Sequence, residues 1–135
     1  MADLALTDTD TVKDVSATEG SGIAGVAIEA GEQIYLDTAT TTYKLGNATT
    51  EATAKCGGIA SNNAGVGQTI NFVSDGLLTV SAVLTPGVLY GVSVNDGKLA
   101  PLSGLPSTNW ITAVALALTT SLLDVRPRSY SHQMP

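Results

Sequence analysis

The sequence predicts an all-β domain, a sandwich or small barrel, on three observations. Short β-rich runs begin at Ile23, Gly, Pro, Asn or Asp signals mark many of their ends, and almost no stretch carries helical spacing. Low aromatic content (4%) beside 44% hydrophobic residues, with Ala, Thr, Val, Leu and Gly dominant, adds that the core is built from small and β-branched side chains. Such a core is thin, so oligomerisation or docking onto a larger body is an expected further source of stability.

Residues 1–22 read as an extended N-terminal arm, polar and weakly periodic, with Leu4, Leu6, Val12 and Val15 as scattered apolar points. The β-rich domain spans 23–126, around one expected core, and a short C-terminal tail follows at 127–135. Candidate strands are 33–37, 42–45, 58–61, 69–74, 77–80, 88–94, 110–118 and 122–126. Asp75-Gly76 and Asn95-Asp96-Gly97 each sit between apolar runs and predict hairpins, because tight turns need positive φ, which Gly, Asn and Asp tolerate. Pro86-Gly87 predicts a further reversal. Residues 49–55 alone have the composition for a helical turn or two, stopped by Gly57-Gly58.

Run 110–118 is apolar at both alternating sets of positions: Ile111, Ala113, Ala115 and Ala117 against Thr112, Val114, Leu116 and Leu118. A strand of that kind belongs in the middle of a sandwich, in a covered barrel wall or at a subunit interface. Residues 99–123 are uncharged and long enough to suggest a membrane span. Pro101, Gly104, Pro106 and Asn109 interrupt them, and buried strands are expected instead.

The net charge of -6 repels phosphate backbones and argues against nucleic acid as a partner. Acids crowd the first third of the chain, whereas Arg126 and Arg128 lie near its end, so ordinary solubility and head-to-tail contact between copies both fit. The lone Cys56 rules out an internal disulfide, and the acidic N-terminus lacks the pattern of a secretory signal. Assembly in a cytoplasm is expected.

Motifs that resemble reactive or ligand sites fail on context. Gly20-Ser21-Gly22-Ile23-Ala24-Gly25 has dinucleotide spacing, but neither the required strand before it nor the helix after it is predicted, which leaves a flexible joint. Asp8, Asp10, Asp14 and Glu19 occupy several positions of a calcium loop, but Lys13 stands where the sharp turn needs Gly. Cys56 and His132 could form a thiol–imidazole pair only if the tail held geometry. Acids placed in turns and arm make a poor two-carboxylate cleft. Asn47-Ala48-Thr49 is a glycosylation sequon by letters and is expected to stay unmodified without secretion. No enzyme, metal or cofactor is expected.

The central and C-terminal chain, about residues 23–125, resembles the capsid decoration (cement, head-stabilising) proteins of tailed phages. The resemblance rests on Ala30-Gly31-Glu32-Gln33-Ile34-Tyr35-Leu36, Gly58-Ile59-Ala60, Gly67-Gln68-Thr69, Leu84-Thr85-Pro86-Gly87-Val88-Leu89-Tyr90 and Asp96-Gly97-Lys98-Leu99-Ala100-Pro101. It implies a compact β-barrel or β-tulip domain, commonly a homotrimer. Such a domain binds the major capsid protein on the outer surface of the virion and bridges neighbouring subunits. Arm and tail have no counterpart in the pattern; the arm is expected to lie along the capsid or a neighbouring copy.

Candidate interface residues, chosen by position or residue type, are Leu4, Leu6, Val12, Trp110, Arg126, Arg128 and Tyr130. The alternative is a phage tail or fibre module. A carbohydrate-binding module is disfavoured by the few aromatics, and a small hydrolase by the lack of a base.

Overall fold

The computed structural model describes residues 3–4, 6–104 and 110–133, of which 128–133 are described as backbone only. Ten strands follow along the chain: β1 (Val12–Lys13), β2 (Thr18–Ile23), β3 (Gln33–Asp37), β4 (Thr42–Leu45), β5 (Cys56–Ala60), β6 (Thr69–Thr79), β7 (Leu89–Val92), β8 (Leu99–Pro101), β9 (Trp110–Ala117) and β10 (Leu122–Gln133). They form one curled sheet in the order β4-β3-β5-β6-β10-β9-β7-β8, with β1 and β2 on the other flank of β6. Every pairing between these strands is antiparallel. Two short 3-10 turns, Asp8–Asp10 and Leu102–Gly104, complete the regular structure, and there is no α-helix among the described residues. The all-β expectation holds.

β6 organises the molecule. Its first half lies between β2 and β5, and its second half between β1 and β10. The hairpin expected at Asp75-Gly76 is instead the middle of this one long strand. Ser74 is an extra residue relative to β2, between the pairs Glu19↔Val73 and Thr18↔Asp75, and Gly76 follows at φ +112°. A bulge and a tight turn both call for a residue that accepts positive φ, so the local signal was the same for either. The insertion also reverses which set of side chains faces inward: Val73 is buried before it and Leu78 after it, five positions apart.

β5 and β6 together form a wall with a core on each side, where the sequence suggested one. Ile59 and Val73 point into a cluster with Leu78, Val80, Tyr90, Val92, Leu99, Val114, Leu123 and Val125. Their neighbours Ala60 and Phe72 point the other way, into a cluster with Ala24, Ile28, Ile34, Ala64 and Ile70. Around this second cluster the sheet curls until Ala24, just past β2, meets Tyr43 of β4 in a parallel bridge, with Gly25 N–H on the Tyr43 carbonyl at 2.8 Å.

The predicted Asn95-Asp96-Gly97 hairpin joins β7 to β8 in the register Tyr90↔Pro101, Gly91↔Ala100, Val92↔Leu99. Residues 49–55 make one hydrogen-bonded turn, Ala54 N–H to Thr50 O at 3.1 Å, and no helix.

Both terminal segments are part of the sheet. Residues 12–22, assigned to an arm, run with Ile23 along β6 of their own chain. Upstream, Leu4 N–H bonds Leu99 O at 2.8 Å beside β8, and Asp3 accepts from Ser93 Oγ (2.6 Å) and Asn95 Nδ2 (2.7 Å). Most of the segment assigned to a tail continues β10, paired with β9 through Arg128↔Ala113, Ser129↔Thr112 and Gln133↔Trp110.

Candidate docking surface

The register of the sheet decides what each face presents, because residues directly opposite across a pair share a face. Leu78, Leu123, Ala117, Ala115 and Tyr90 are linked by such pairings and are all buried. The alternate positions form the outer face. Val12↔Thr79↔Leu122 make one row, which Leu118 joins by donating its N–H to Leu122 O at 2.9 Å. The next row runs Leu77↔Asp124↔Leu116↔Leu89. Val12, Leu89, Leu116 and Leu118 are exposed, at 60%, 43%, 37% and 45%, and Leu77 and Leu122 are half-exposed.

An antiparallel sheet with one solvated face ordinarily carries polar residues there. Six aliphatic side chains across five strands depart from that rule, and contiguous apolar patches on a protein surface mark sites of association. Asp124 interrupts the second row between Leu77 and Leu116, and Arg126 Nε lies 3.5 Å from it and 3.8 Å from Asp75 at the border. Those pairs are exposed and weak, which leaves the three charges free to repartner.

Of the residues singled out from sequence, Val12 and Arg126 belong to this face and its rim. Leu4 and Leu6 do not: they are half-buried against the larger core and line a small cavity with Gly31, Glu32, Gly97, Lys98 and Leu99. Burial there raises the Glu32 carboxyl above its ordinary range. Trp110 is half-buried, its backbone N–H on Ala48 O at 2.9 Å. The side chains of Arg128 and Tyr130 lie outside the described residues.

Leu77, Leu89, Leu116, Leu118 and Leu122 were missed. The two-sided apolarity of 110–118 was the signal for Leu116 and Leu118, but choosing the outward set needs the register of the neighbouring strands.

Most groups that suggested chemistry have a structural use among the described residues. Gly20 and Gly22 lie in β2, where a Cβ would come within 2.5 Å of the Phe72 and Tyr43 rings respectively. The expected flexible joint is thus a paired strand whose glycines make room for aromatics. The acids of the apparent calcium loop are engaged separately: Asp8 accepts from Asn63 Nδ2 (2.6 Å), Asp10 from Thr7 Oγ1 (2.7 Å) and Glu19 from Ser61 Oγ (2.8 Å). Ser16 hydrogen bonds to the Asp14 carboxylate and holds it below its usual range. No group of three metal-ligating side chains occurs among the described residues.

Cys56 donates to Gly58 O at 3.3 Å, and burial pushes its thiol up to about 12, which suppresses the nucleophilic thiolate. The imidazole of His132 lies outside the described residues. Asn47 spends its amide on the fold: Nδ2 donates to Val94 O and Asp96 Oδ1, both at 2.8 Å, and Oδ1 accepts from Thr49 N–H and Oγ1. No helix among the described residues is long and apolar enough to cross a membrane.

Cys56, Asn47 and the acids of the arm are thus engaged in the fold, and the outer face gathers Val12, Leu77, Leu89, Leu116, Leu118 and Leu122 in adjacent rows. Comparison with protein-family models, with curated proteins and with solved structures returns no match to this chain.

Proposed function

We propose that this chain is a non-enzymatic structural protein that docks through its outer leucine face onto another protein. In its specific form the proposal is a decoration protein on the outside of a tailed-phage capsid, bound to the major capsid protein and stabilising contacts between capsid subunits. The observation that carries the docking role is the aliphatic outer face of β1, β6, β10, β9 and β7. The resemblance of residues 23–125 to capsid decoration proteins supplies the partner. Copies assembled as trimers on a symmetric shell would each bury a modest area, and symmetric repetition turns modest contacts into high avidity.

The test is co-sedimentation of the purified chain with expanded, undecorated heads, with light scattering of the free protein alongside. Saturable binding in a fixed ratio to capsid subunits is the expected result. A well-folded chain that ignores heads would overturn the capsid assignment and direct the search to tail or fibre proteins as the partner of the same face.

A further inference from the structure

The segment that runs along β6 is held in an unusual way. From Val12 to Ile23 no side chain is buried, and the two positions of β2 that approach the rings of Phe72 and Tyr43 are Gly20 and Gly22. Main-chain pairing with β6 carries most of the attachment, over the six register partners from Thr18↔Asp75 to Ile23↔Thr69 and the two of β1. Side chains add peripheral ties such as Ser61 Oγ to Glu19 at 2.8 Å. Edge elements with few buried apolar contacts open at low free energy, so the main cost of release falls on residues 3–11, where Leu4 and Leu6 are half-buried against the larger core and Thr11 is buried. Past Ile23 the chain is fixed again: Ala24 and Ile28 are buried, and Ala24 N–H bonds Gln68 O at 2.9 Å.

We propose that residues 3–23 exchange between copies, leaving their own domain at Ile23 and pairing with β6 of a second copy in the same register. The glycines argue for this occupant. A foreign strand on this edge meets the Phe72 and Tyr43 rings wherever it carries a side chain at the two glycine positions, whereas a second copy brings Gly20 and Gly22 in phase. Exchange also remakes every lost contact, Leu4 against Leu99 included, which is why swapping an identical element is a low-cost route to association. Fully extended, the segment reaches up to about 70 Å, enough to span to an adjoining domain. The exchange extends the proposed assembly role by naming what links one copy to the next.

Ser21 faces Asn71 in the β2–β6 register. Asn71 directs its N–H to Asn62 Oδ1 (2.7 Å) and its carbonyl to Ser61 N–H (2.8 Å), both on the β5 side. Ser21↔Asn71 is therefore a non-hydrogen-bonded pair, the closer kind and the one suited to a disulfide. Two single variants, Ser21→Cys and Asn71→Cys, are mixed at high concentration, incubated, oxidised with diamide and run on a non-reducing gel. Exchange predicts a covalent heterodimer at twice the monomer mass, lost on reduction. Thr38→Cys on the exposed β3–β4 turn, mixed with Asn71→Cys, should give none. Absence of the Ser21–Asn71 heterodimer overturns the proposal, and so does equal cross-linking to Thr38→Cys, which signals collision. The assay uses free protein, so its failure leaves head docking standing, and failure of the wild-type chain to bind heads leaves exchange standing.

Discussion

Single residues here are explained by what lies across from them, and neighbours in sequence say little. Gly20 is the sharpest case: its absent side chain leaves space for Phe72, whose ring is buried and fixed against Tyr43 at a centroid distance of 4.8 Å. Gly20→Ala should cost about 1–3 kcal/mol, the usual range for overpacking. Adding Phe72→Leu should make the second change less damaging than in the parent, a coupling that a double-mutant cycle of thermal unfolding measures. Gln33 is similar. It is fully buried with Nε2 donating to Gly46 O (2.9 Å) and Lys98 O (3.1 Å), while Oε1 abuts Gly46 and lacks a hydrogen-bond partner.

Charge at the residue scale shows in Asp37 and Lys44, 2.7 Å apart across the β3–β4 hairpin. Hydrogen bonding to Lys44 lowers the Asp37 pKa, and the same bond raises that of Lys44. The stabilisation from Asp37 is present above its unfolded pKa of about 4 and is lost as pH falls through the lowered folded value. That from Lys44 is present below about 10.4 and is lost as pH rises through the raised one. Asp37→Asn should therefore unfold slightly earlier than the parent at neutral pH, with the gap closing in acid. Urea titrations at several pH values check this, and an unchanged gap in acid would refute it. None of these pairings was legible in the sequence, because each joins positions that only the register brings together.

Most elements were legible. β3 and β4 fall where the pattern of β-branched and aromatic residues placed them, and β5, β7 and β9 fall within a few residues. β2 was not legible, because Gly20 and Gly22 stand at alternate positions where an apolar signal would be sought. β6 was divided in two because Asp75-Gly76 has turn chemistry, and only pairing on both flanks distinguishes a bulge from a hairpin.

Because residues 12–23 belong to the sheet, an N-terminal truncation should damage the fold. Removing residues 1–20 strips one flank of β6 and takes Leu4 and Leu6 from the larger core. The two half-buried leucines alone account for about 2 kcal/mol, and the bared edge invites pairing with other chains. The truncated protein should elute as aggregate or melt at lower temperature. A truncation that melts like the full chain would show that the flank is dispensable.

For the whole molecule, the buried face of the sheet and the outer face proposed for docking lie on opposite sides, so folding and any binding should separate under mutation. Leu116→Lys with Leu118→Lys places two charges on the outer face, where surface substitutions ordinarily shift stability by no more than about 0.5 kcal/mol each. The double variant should unfold close to the parent and fail to co-sediment with heads. Loss of binding together with loss of folding would mean that the face is structural.

The position of β6 in the chain has a consequence for biosynthesis. The strand's flanks are supplied by residues 12–23 and by β5 upstream and by residues 122–125 downstream. A growing polypeptide on the ribosome can therefore curl the β2–β6 portion early, but the second half of the strand stays open on its β10 side until β10 has emerged. Closure of that flank waits on a partner far downstream of β6, a non-local contact of the kind that slows folding.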